Sequence, residues 1–336
     1  MHSGENSTMI EVKLSTSSPE WPILRQTPSE KGVWGNCRFF ANEEVEDCDY
    51  WVVYEGLSKP EKSTCPKQNT LLITGESPTV KKYNPYFLKQ FAAVITCQRS
   101  IKHPEVIYGQ QALPWHVGRR QKGHVNISFT KDYDELKMIT RFDKSKLISV
   151  ISSDKSFTTG HRNRLQFVSK LVEHFGSNLD VFGRGVNEIE DKWDAIAPYK
   201  YHIVLENTSC QDYWTEKLSD AFLAGAYPFY YGCPNLSDYF PSAAYTAIDI
   251  DDFQGSVSAI EKTIADERYG RSISDILAAR NLILDKYNLF PLVADYCSKR
   301  GSFDPKVDIT IKPEIMFPSS VLSRLSLFQR LRRKPW

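Results

Sequence analysis

One short segment holds charged and polar side chains at the spacing that an anion-binding site requires. A predicted buried strand ends in Glu206 and Asn207, and a polar loop follows it. Thr215 then caps a predicted helix whose first turn holds Glu216 and Lys217. A helix N-terminus presents unpaired N–H groups and the positive end of the helix dipole, and Lys217 adds a full charge. We therefore predict an anionic ligand, such as a pyrophosphate, at this turn.

The same residues also have a simpler interpretation. Glu216 and Lys217 would then form a solvated first turn, and Asn207 would cap a loop, because most charged helix ends are only surface. Residue types alone leave both interpretations open at this point. The longer pattern in which these residues stand favours the ligand site.

From Glu206 to Gly232 the chain fits the pattern ENxxxxDYxTEKxxxAxxAGxxPxxxG. This pattern resembles the signature of glycosyltransferase family 10, the α1,3/α1,4-fucosyltransferases, in their bacterial type. Two further segments, Asp180–Gly183 (DVFG) and Ala247–Phe253 (AIDIDDF), are similar to strands of that family. Arg164 resembles the family arginine that starts a helix before the first of these strands.

The resemblance implies a donor site for a nucleotide sugar, GDP-fucose. Arg164 has the fork geometry that suits a diphosphate, and Lys217 supplies a point charge there. Glu216 would bind ribose or sugar hydroxyls, and Asn207 and Tyr213 would complete the donor contacts. A packing role for the tyrosine and a capping role for the asparagine stay open.

No metal and no other cofactor are expected at this site. The Arg164 and Lys217 cations would stabilise the departing nucleoside diphosphate, whose charge develops as the glycosidic bond breaks. Asp249, Asp251 and Asp252 form a DxDD sequence, but the resemblance assigns them to a strand end. The predicted transfer is therefore metal-independent.

The segment Leu72–Pro78 (LITGESP) resembles the family element that carries the proposed catalytic glutamate, which here is Glu76. Glu76 would take the proton of the attacking acceptor hydroxyl. A single displacement inverts the anomeric carbon, from a β-linked nucleotide sugar to an α-linked product. A strand-end carboxylate that caps the turn before Pro78 is the alternative role for Glu76.

Histidine is the commonest general base, so the histidines compete with Glu76: His103, His116, His124 and His161. His116 is the best of them and could instead bind the acceptor. Trp115 beside it offers an apolar face of the type on which sugars stack. We therefore assign Trp115 and His116 to acceptor binding.

Alternation of strands and helices after residue 145 predicts parallel βαβ units and a doubly wound sheet. Strands are predicted at Lys146–Ile151, Leu179–Phe182, His202–Leu205 and Tyr227–Tyr231, and shorter apolar runs indicate strands in the N-terminal part. The segment Gly109–Asp134 is predicted to form long loops. The expected architecture is α/β and GT-B-like, with two Rossmann-like domains facing a central cleft. We assign 1–144 to acceptor binding, 145–300 to donor binding and 301–336 to a C-terminal tail.

The net charge and the cysteine content restrict the partners and the compartment. A net charge of +1 over 336 residues argues against nucleic acid. Seven cysteines without a CxxC pair favour free thiols in a reducing compartment. The polar N-terminus shows no signal peptide, and Asn207-Thr208-Ser209 is a glycosylation sequon inside the predicted donor site. We therefore expect a cytoplasmic enzyme, peripheral on the inner face of the membrane if its tail binds lipid.

Two alternatives to fucose transfer stay open. The strand Tyr227–Tyr231 (YPFYY) departs from the apolar strand usual in the family, so the same fold could use a different nucleotide sugar. A non-catalytic sugar-nucleotide or glycan-binding protein would keep the donor signature and lose the base. For the leading function, the predicted acceptor is O3 or O4 of GlcNAc or Glc in a glycan or lipid-linked saccharide.

The last eighteen residues, 319–336, contain five Lys or Arg side chains and no acidic residue (SSVLSRLSLFQRLRRKPW). Leu322, Leu325 and Phe328 recur on one helical face, which predicts a basic amphipathic helix on an anionic membrane surface. A helix docked on the protein is the alternative. Deleting 319–336 is expected to abolish co-sedimentation with anionic liposomes and to leave the background with neutral liposomes unchanged. Undiminished binding of the truncated protein to anionic liposomes would contradict the assignment.

Overall fold

The structure is a computed structural model that describes residues 9–122, 126–152, 159–183, 185–300 and 304–318. The chain forms two compact units. The first comprises Met1–Ala112 and Leu289–Trp336, and the second comprises Leu113–Asn288. The predicted tail helix at 319–336 lies outside the described residues.

The first unit is built on a sheet whose strands run in the order β2-β3-β1-β4-β6-β7-β8. All neighbouring pairs are parallel except β2 with β3. The short apolar runs of the sequence form its buried centre, because β4 and β6 are covered along their whole length. The elements are β1 (Ile10–Thr16), β2 (Val33–Trp34), β3 (Cys37–Ala41), β4 (Tyr50–Tyr54), β5 (Glu61–Pro66), β6 (Thr70–Ile73), α1 (Pro85–Leu88), β7 (Ala93–Thr96) and β8 (Val106–Tyr108).

The second unit is built on a parallel sheet with the strand order β12-β11-β13-β14-β15. Helices connect consecutive strands, and an antiparallel hairpin of β9 and β10 precedes them. The elements are β9 (Arg119–Lys122), β10 (Asn126–Phe129), α2 (Tyr133–Met138), β11 (Lys146–Ile151), α3 (Thr159–Phe175), β12 (Leu179–Phe182), α4 (Lys192–Ile196), β13 (Tyr199–Leu205), α5 (Glu216–Leu223), β14 (Tyr227–Tyr231), β15 (Thr246–Ala247), α6 (Phe253–Ala265), α7 (Arg268–Arg271) and α8 (Ile273–Asp285).

After α8 the chain returns to the first unit. Helix α9 (Leu289–Arg300) packs there, with the Phe39 and Phe290 rings edge to face at 4.9 Å and the Tyr50 hydroxyl donating to the Cys297 carbonyl at 3.2 Å. Strand β16 (Lys306–Ile311) then pairs antiparallel with β5. The division therefore differs from the predicted boundaries at 144 and 300. The position of α9 and β16 is decided by contacts with the N-terminal part of the chain, including the pairing of β16 with β5. No local sequence signal shows these contacts.

The prediction of an α/β fold with parallel βαβ units is confirmed, and the four strands predicted after residue 145 are all present. The prediction of long loops over Gly109–Asp134 is wrong, because β9 and β10 form a hairpin there and Asp132 caps α2. Strand β9 reads RRQK, so it lacks the apolar alternation that reveals a half-buried strand. Within the described ranges, no helix is long and apolar enough to cross a bilayer.

Helix α5 ends at a glycine that two constraints fix. Gly225 has a φ of +68°, in the left-handed region that ends helices, and a Cβ there would lie 2.3 Å from the Phe142 ring. Gly176, after α3, has a φ of +53° and open space around its Cβ position. A substitution at Gly176 therefore measures the cost of a left-handed backbone without a steric clash.

We expect Gly176→Ala to destabilise the second unit by about 1 kcal/mol, from the left-handed backbone alone. Gly225→Ala adds the clash with Phe142 and is expected to cost about 1–3 kcal/mol more. Urea unfolding followed by fluorescence measures both variants against the natural protein. Equal effects of the two substitutions would contradict the packing at Gly225.

Candidate functional site

The candidate site lies where the order of the parallel strands reverses in the second unit. From β11 the chain passes through α3 to β12 on one side, and then through α4 to β13 on the other side of β11. In such sheets ligands bind at the carboxyl ends of the strands at this switch point. Glu206 and Asn207 follow β13 at that edge, and α3 and α5 begin there.

Glu206 is the buried centre of the site, with 1% of its surface exposed. It accepts hydrogen bonds from the backbone N–H and the hydroxyl of Thr215, both at 2.8 Å. Thr215 also caps α5 by accepting from the Lys217 N–H at 3.3 Å, which confirms the predicted helix start. Strand β13 therefore fixes the N-terminus of α5 through one carboxylate.

Lys217 reaches back over this first turn. Its ammonium lies 3.3 Å from a carboxylate oxygen of Glu206, 3.3 Å from one of Glu216 and 3.1 Å from the Thr215 hydroxyl. Burial alone would lower the pKa of Lys217, but the two carboxylates outweigh it and raise that pKa. Burial alone would raise the pKa of Glu216, but the charges of Lys217 and Lys192 outweigh it and bring that pKa well below the usual range. Lys217 and Glu216 are therefore both ionised at neutral pH.

Arg164 joins the site from α3. Its side chain is 5% exposed, and Nη1 donates to the Asn207 Oδ1 at 2.8 Å. Burial lowers the pKa of Arg164, but a guanidinium keeps its proton at neutral pH in proteins. The first turn of α3 touches Asn207 as well, because a Cβ at Gly160 would lie 1.9 Å from the Asn207 carbonyl oxygen. Two helix starts and two cations therefore converge on the end of β13.

The loop that carries Tyr213 is held by Asp212. Asp212 has a φ of +60°, and its carboxylate accepts from the Tyr239 hydroxyl at 2.6 Å and from Asn235 at 2.9 Å. Tyr213 itself is buried, and the next residue, Trp214, packs edge to face on Phe240. The structure thus brings four of the five predicted donor residues together near one strand end, and the fifth, Tyr213, lies two residues before the cap Thr215.

Sequence reasoning missed two charged residues of this site. Lys192, the first residue of α4, lies 3.1 Å from Asp220 and 3.7 Å from Glu216. Asp220 is fully buried, and burial raises its pKa against the opposing effect of Lys192. The four-residue spacing of Glu216 and Asp220 on one helix face was the available signal for a shared partner.

The residues assigned to acceptor binding lie in the second unit. His116 Nδ1 is 3.4 Å from the Lys192 ammonium. Trp115 is 1% exposed within the hydrophobic core, so the expected open face for a sugar is covered. The indole is large and apolar, and burying it against the unit's own helices and strands gains more than leaving it exposed.

Glu76 lies in the first unit, three residues after β6, and is half-buried. Its backbone carbonyl accepts from the Gln98 side chain at 2.7 Å, which fixes the turn. Burial, followed by the carboxylates of Glu55 and Glu76, raises the pKa of Tyr83 well above its usual value. Glu55, directly after β4, is a second carboxylate on this edge that sequence reasoning missed.

Of the other histidines that compete with Glu76 as the base, the structure describes the side chain of His103. His103 has its ring nitrogens 2.9 Å and 3.0 Å from the carbonyls of Glu105 and Phe91, so its ring serves the local backbone. His124 and the side chain of His161 lie outside the described residues. Among the residues that the structure does describe, no group of three or more His, Cys, Asp or Glu side chains is placed to hold a metal ion. Asp252 caps α6.

A parallel sheet with helix starts and cations at its switch point is the architecture of nucleotide-binding α/β domains. Residues 142–265 match the family model Glycosyltransferase family 10 (fucosyltransferase) C-term. This match confirms the resemblance found in the sequence.

Similar proteins include alpha-(1,3)-fucosyltransferase B of Drosophila melanogaster, 34% identical over 102 residues, which are 29% of this chain and 23% of that protein. GDP-fucose protein O-fucosyltransferase 3 of Xenopus laevis is 45% identical over 47 residues, 14% of this chain and 10% of that protein. The chain thus spans less than a quarter of these two relatives. The crystal structure of an alpha1,3-fucosyltransferase with GDP-fucose has a TM-score of 0.45 and 14% identity, and the match covers 86% of this chain and 94% of that one.

Lys217 neutralises a buried carboxylate, and this has a consequence for stability. Burial raises the pKa of Glu206, and Lys217 offsets part of that rise. In Lys217→Met the Glu206 pKa rises further, so the folded state binds a proton that the unfolded chain releases. The free energy of unfolding then falls as the pH rises above the ordinary glutamate range and recovers on acidification.

We expect Lys217→Met to cost on the order of 2 kcal/mol at pH about 8 and clearly less at pH about 5. Urea unfolding at both values measures the difference. Lys200→Met, at an exposed position of β13, is the matched control and is expected to change stability little at either pH. A loss for Lys217→Met that does not depend on pH would contradict the pairing with Glu206.

Proposed function

We propose that the protein is an inverting, metal-independent glycosyltransferase that moves fucose from GDP-fucose to a hydroxyl group of a saccharide. The observation that carries the proposal is the convergence of Arg164, Lys217 and the start of α5 on the switch point of a sheet whose sequence matches the family 10 model. A nucleoside diphosphate has the charge and the shape for that place.

The diphosphate is expected to bind at the first turn of α5. The positive end of the helix dipole favours an anion there, and the Lys217 N–H of this turn is itself capped by the Thr215 hydroxyl. Arg164 offers a planar fork for two phosphate oxygens, and Lys217 offers a point charge. The leaving group gains negative charge as the glycosidic bond breaks, so both cations stabilise the transition state more than the ground state.

The sugar and the ribose carry hydroxyl groups that need acceptors as well as donors. Glu216 is ionised and partly exposed beside Lys217, so its free oxygen sites can accept from such hydroxyls. Asn207 is held by Arg164 and offers an amide in the same place. Tyr213 follows the loop that Asp212 fixes, so its position is defined before a ligand arrives.

Glu76 is proposed as the general base. A half-buried carboxylate on a fixed turn can accept the proton of an acceptor hydroxyl while that oxygen attacks the anomeric carbon. One displacement inverts that carbon. The acceptor is proposed to be O3 or O4 of GlcNAc or Glc in a glycan or lipid-linked saccharide, and this choice rests on the family resemblance.

Binding and transfer test separate parts of this proposal. Arg164→Ala and Lys217→Ala each remove a charged partner of the diphosphate, so GDP affinity by calorimetry should fall about 10- to 100-fold. Glu76→Gln should lower kcat about 10²- to 10⁴-fold and leave GDP affinity unchanged. Glu30→Gln, exposed in the first unit, is the control and should match the natural protein.

GDP-selective binding that EDTA does not change supports the metal-independent site. Unchanged GDP affinity in both cation variants would contradict the diphosphate roles, and full transfer by Glu76→Gln would contradict the base. Preference for a different nucleoside diphosphate would favour the same fold with another nucleotide sugar. GDP binding without transfer to any saccharide would favour a sugar-nucleotide-binding protein.

A further inference from the structure

Tyr83 contacts the backbone of the turn that carries Glu76 in the first unit. Its side chain is 7% exposed, and its hydroxyl oxygen accepts from the Gly75 N–H at 3.2 Å. The Glu76 N–H is hydrogen-bonded to the same hydroxyl. One side-chain oxygen therefore holds two consecutive N–H groups and fixes the backbone on the N-terminal side of Glu76.

Gln98, two residues after β7, fixes the other side of Glu76. Its side-chain amide donates to the carbonyl of Glu76 at 2.7 Å and to the carbonyl of Lys81 at 3.0 Å. Gln98 is 2% exposed, so water has little access to these bonds. The peptide groups before and after Glu76 are thus both held, and the turn is joined to the segment that carries Tyr83.

The segment around Tyr83 is itself fixed. The Lys81 ammonium lies 4.1 Å from the centre of the Tyr83 ring, where the aromatic face attracts a cation. The same ammonium pairs with Glu314 at 3.0 Å, and Glu314 also accepts from the Asn84 N–H at 2.6 Å. Contacts on both sides of Tyr83 along the chain therefore define the place of its hydroxyl.

A second carboxylate stands against the same turn. A Cβ at Gly75 would lie 1.8 Å from the Glu55 Oε1, so the Glu55 side chain fills the space beside residue 75. The charges of Glu55 and Glu76 both act on Tyr83. Because like charges repel, a loose turn would let these two carboxylates move apart, and the bonds from Tyr83 and Gln98 oppose that movement.

We propose that Tyr83 and Gln98 are positioning residues that hold the backbone of Glu76 so that its carboxylate meets the acceptor hydroxyl in one orientation. A general base must lie within hydrogen-bond reach of the proton that it takes, and a misplacement of about 1 Å can cost about 10²-fold in rate. The role rests on the proposed function of Glu76 as the base, whereas the hydrogen bonds to its backbone do not.

Steady-state kinetics of a double-mutant cycle tests the positioning role. Tyr83→Phe removes the hydroxyl and keeps the ring, so kcat should fall about 10- to 100-fold, while KM for the nucleotide sugar stays unchanged. Gln98→Met removes the amide donors and should give the same pattern. In the Glu76→Gln background no base is left to position, so adding Tyr83→Phe should lower kcat by about twofold or less.

Tyr50→Phe is the matched control for these variants. It removes another buried tyrosine hydroxyl of the first unit, which donates to the Cys297 carbonyl at 3.2 Å and makes no contact with the turn of Glu76 in the described hydrogen bonds. Its kcat should equal that of the natural protein. A loss in Tyr50→Phe as large as in Tyr83→Phe would refute a role specific to the turn.

Hydrogen exchange followed by mass spectrometry tests the hydrogen bonds without any activity. The Gly75 and Glu76 amides lose their acceptor in Tyr83→Phe, so they should exchange about tenfold faster than in the natural protein. Peptides from β13 in the second unit should exchange at the natural rate, which shows that the variant is folded. Unchanged protection of Gly75 and Glu76 in Tyr83→Phe would overturn the inference.

The outcomes separate this inference from the proposed function. If Glu76→Gln lowers kcat as proposed but Tyr83→Phe lowers it by the same factor in both backgrounds, only the positioning role is refuted. If Glu76→Gln transfers the sugar at the natural rate, the base fails and the positioning role fails with it, while GDP binding still decides the donor site.

Discussion

The site depends on one buried carboxylate, Glu206, at the end of β13. A carboxylate with 1% of its surface exposed is costly to bury unless its oxygens are paired. Thr215 donates two hydrogen bonds to it, and the Lys217 ammonium lies 3.3 Å from it. Glu206 therefore links the end of the strand, the cap of α5 and a cation. A change to any of the three therefore removes a partner from the other two.

This constraint has a functional consequence for the charges around it. The cations Arg164, Lys192 and Lys217 stand among the carboxylates Glu206, Glu216 and Asp220, so the unliganded cluster is balanced. Each cation is held at a fixed place by a protein carboxylate or amide before a ligand arrives. A bound anion then meets preorganised donors, which is the condition for stabilising charge that develops on a leaving group.

Much of the second unit could be predicted from the sequence because its signals are local. The apolar run His202–Leu205 and the cap at Thr215 mark a strand and a helix start within a few residues. The return of α9 and β16 to the first unit depends on pairing with β5, over two hundred residues away, and no local pattern shows this. The same limit applies to Lys192, whose partners Glu216 and Asp220 become neighbours only through the fold.

The most direct test of the account is a crystal structure of the protein with GDP. We expect the β-phosphate beside the start of α5, with Lys217 Nζ and the Arg164 guanidinium within about 3 Å of its oxygens. Glu206 should keep its contacts with Thr215, because it positions the helix and does not bind the ligand. GDP bound elsewhere, or bound with neither cation in contact, would contradict the central claim.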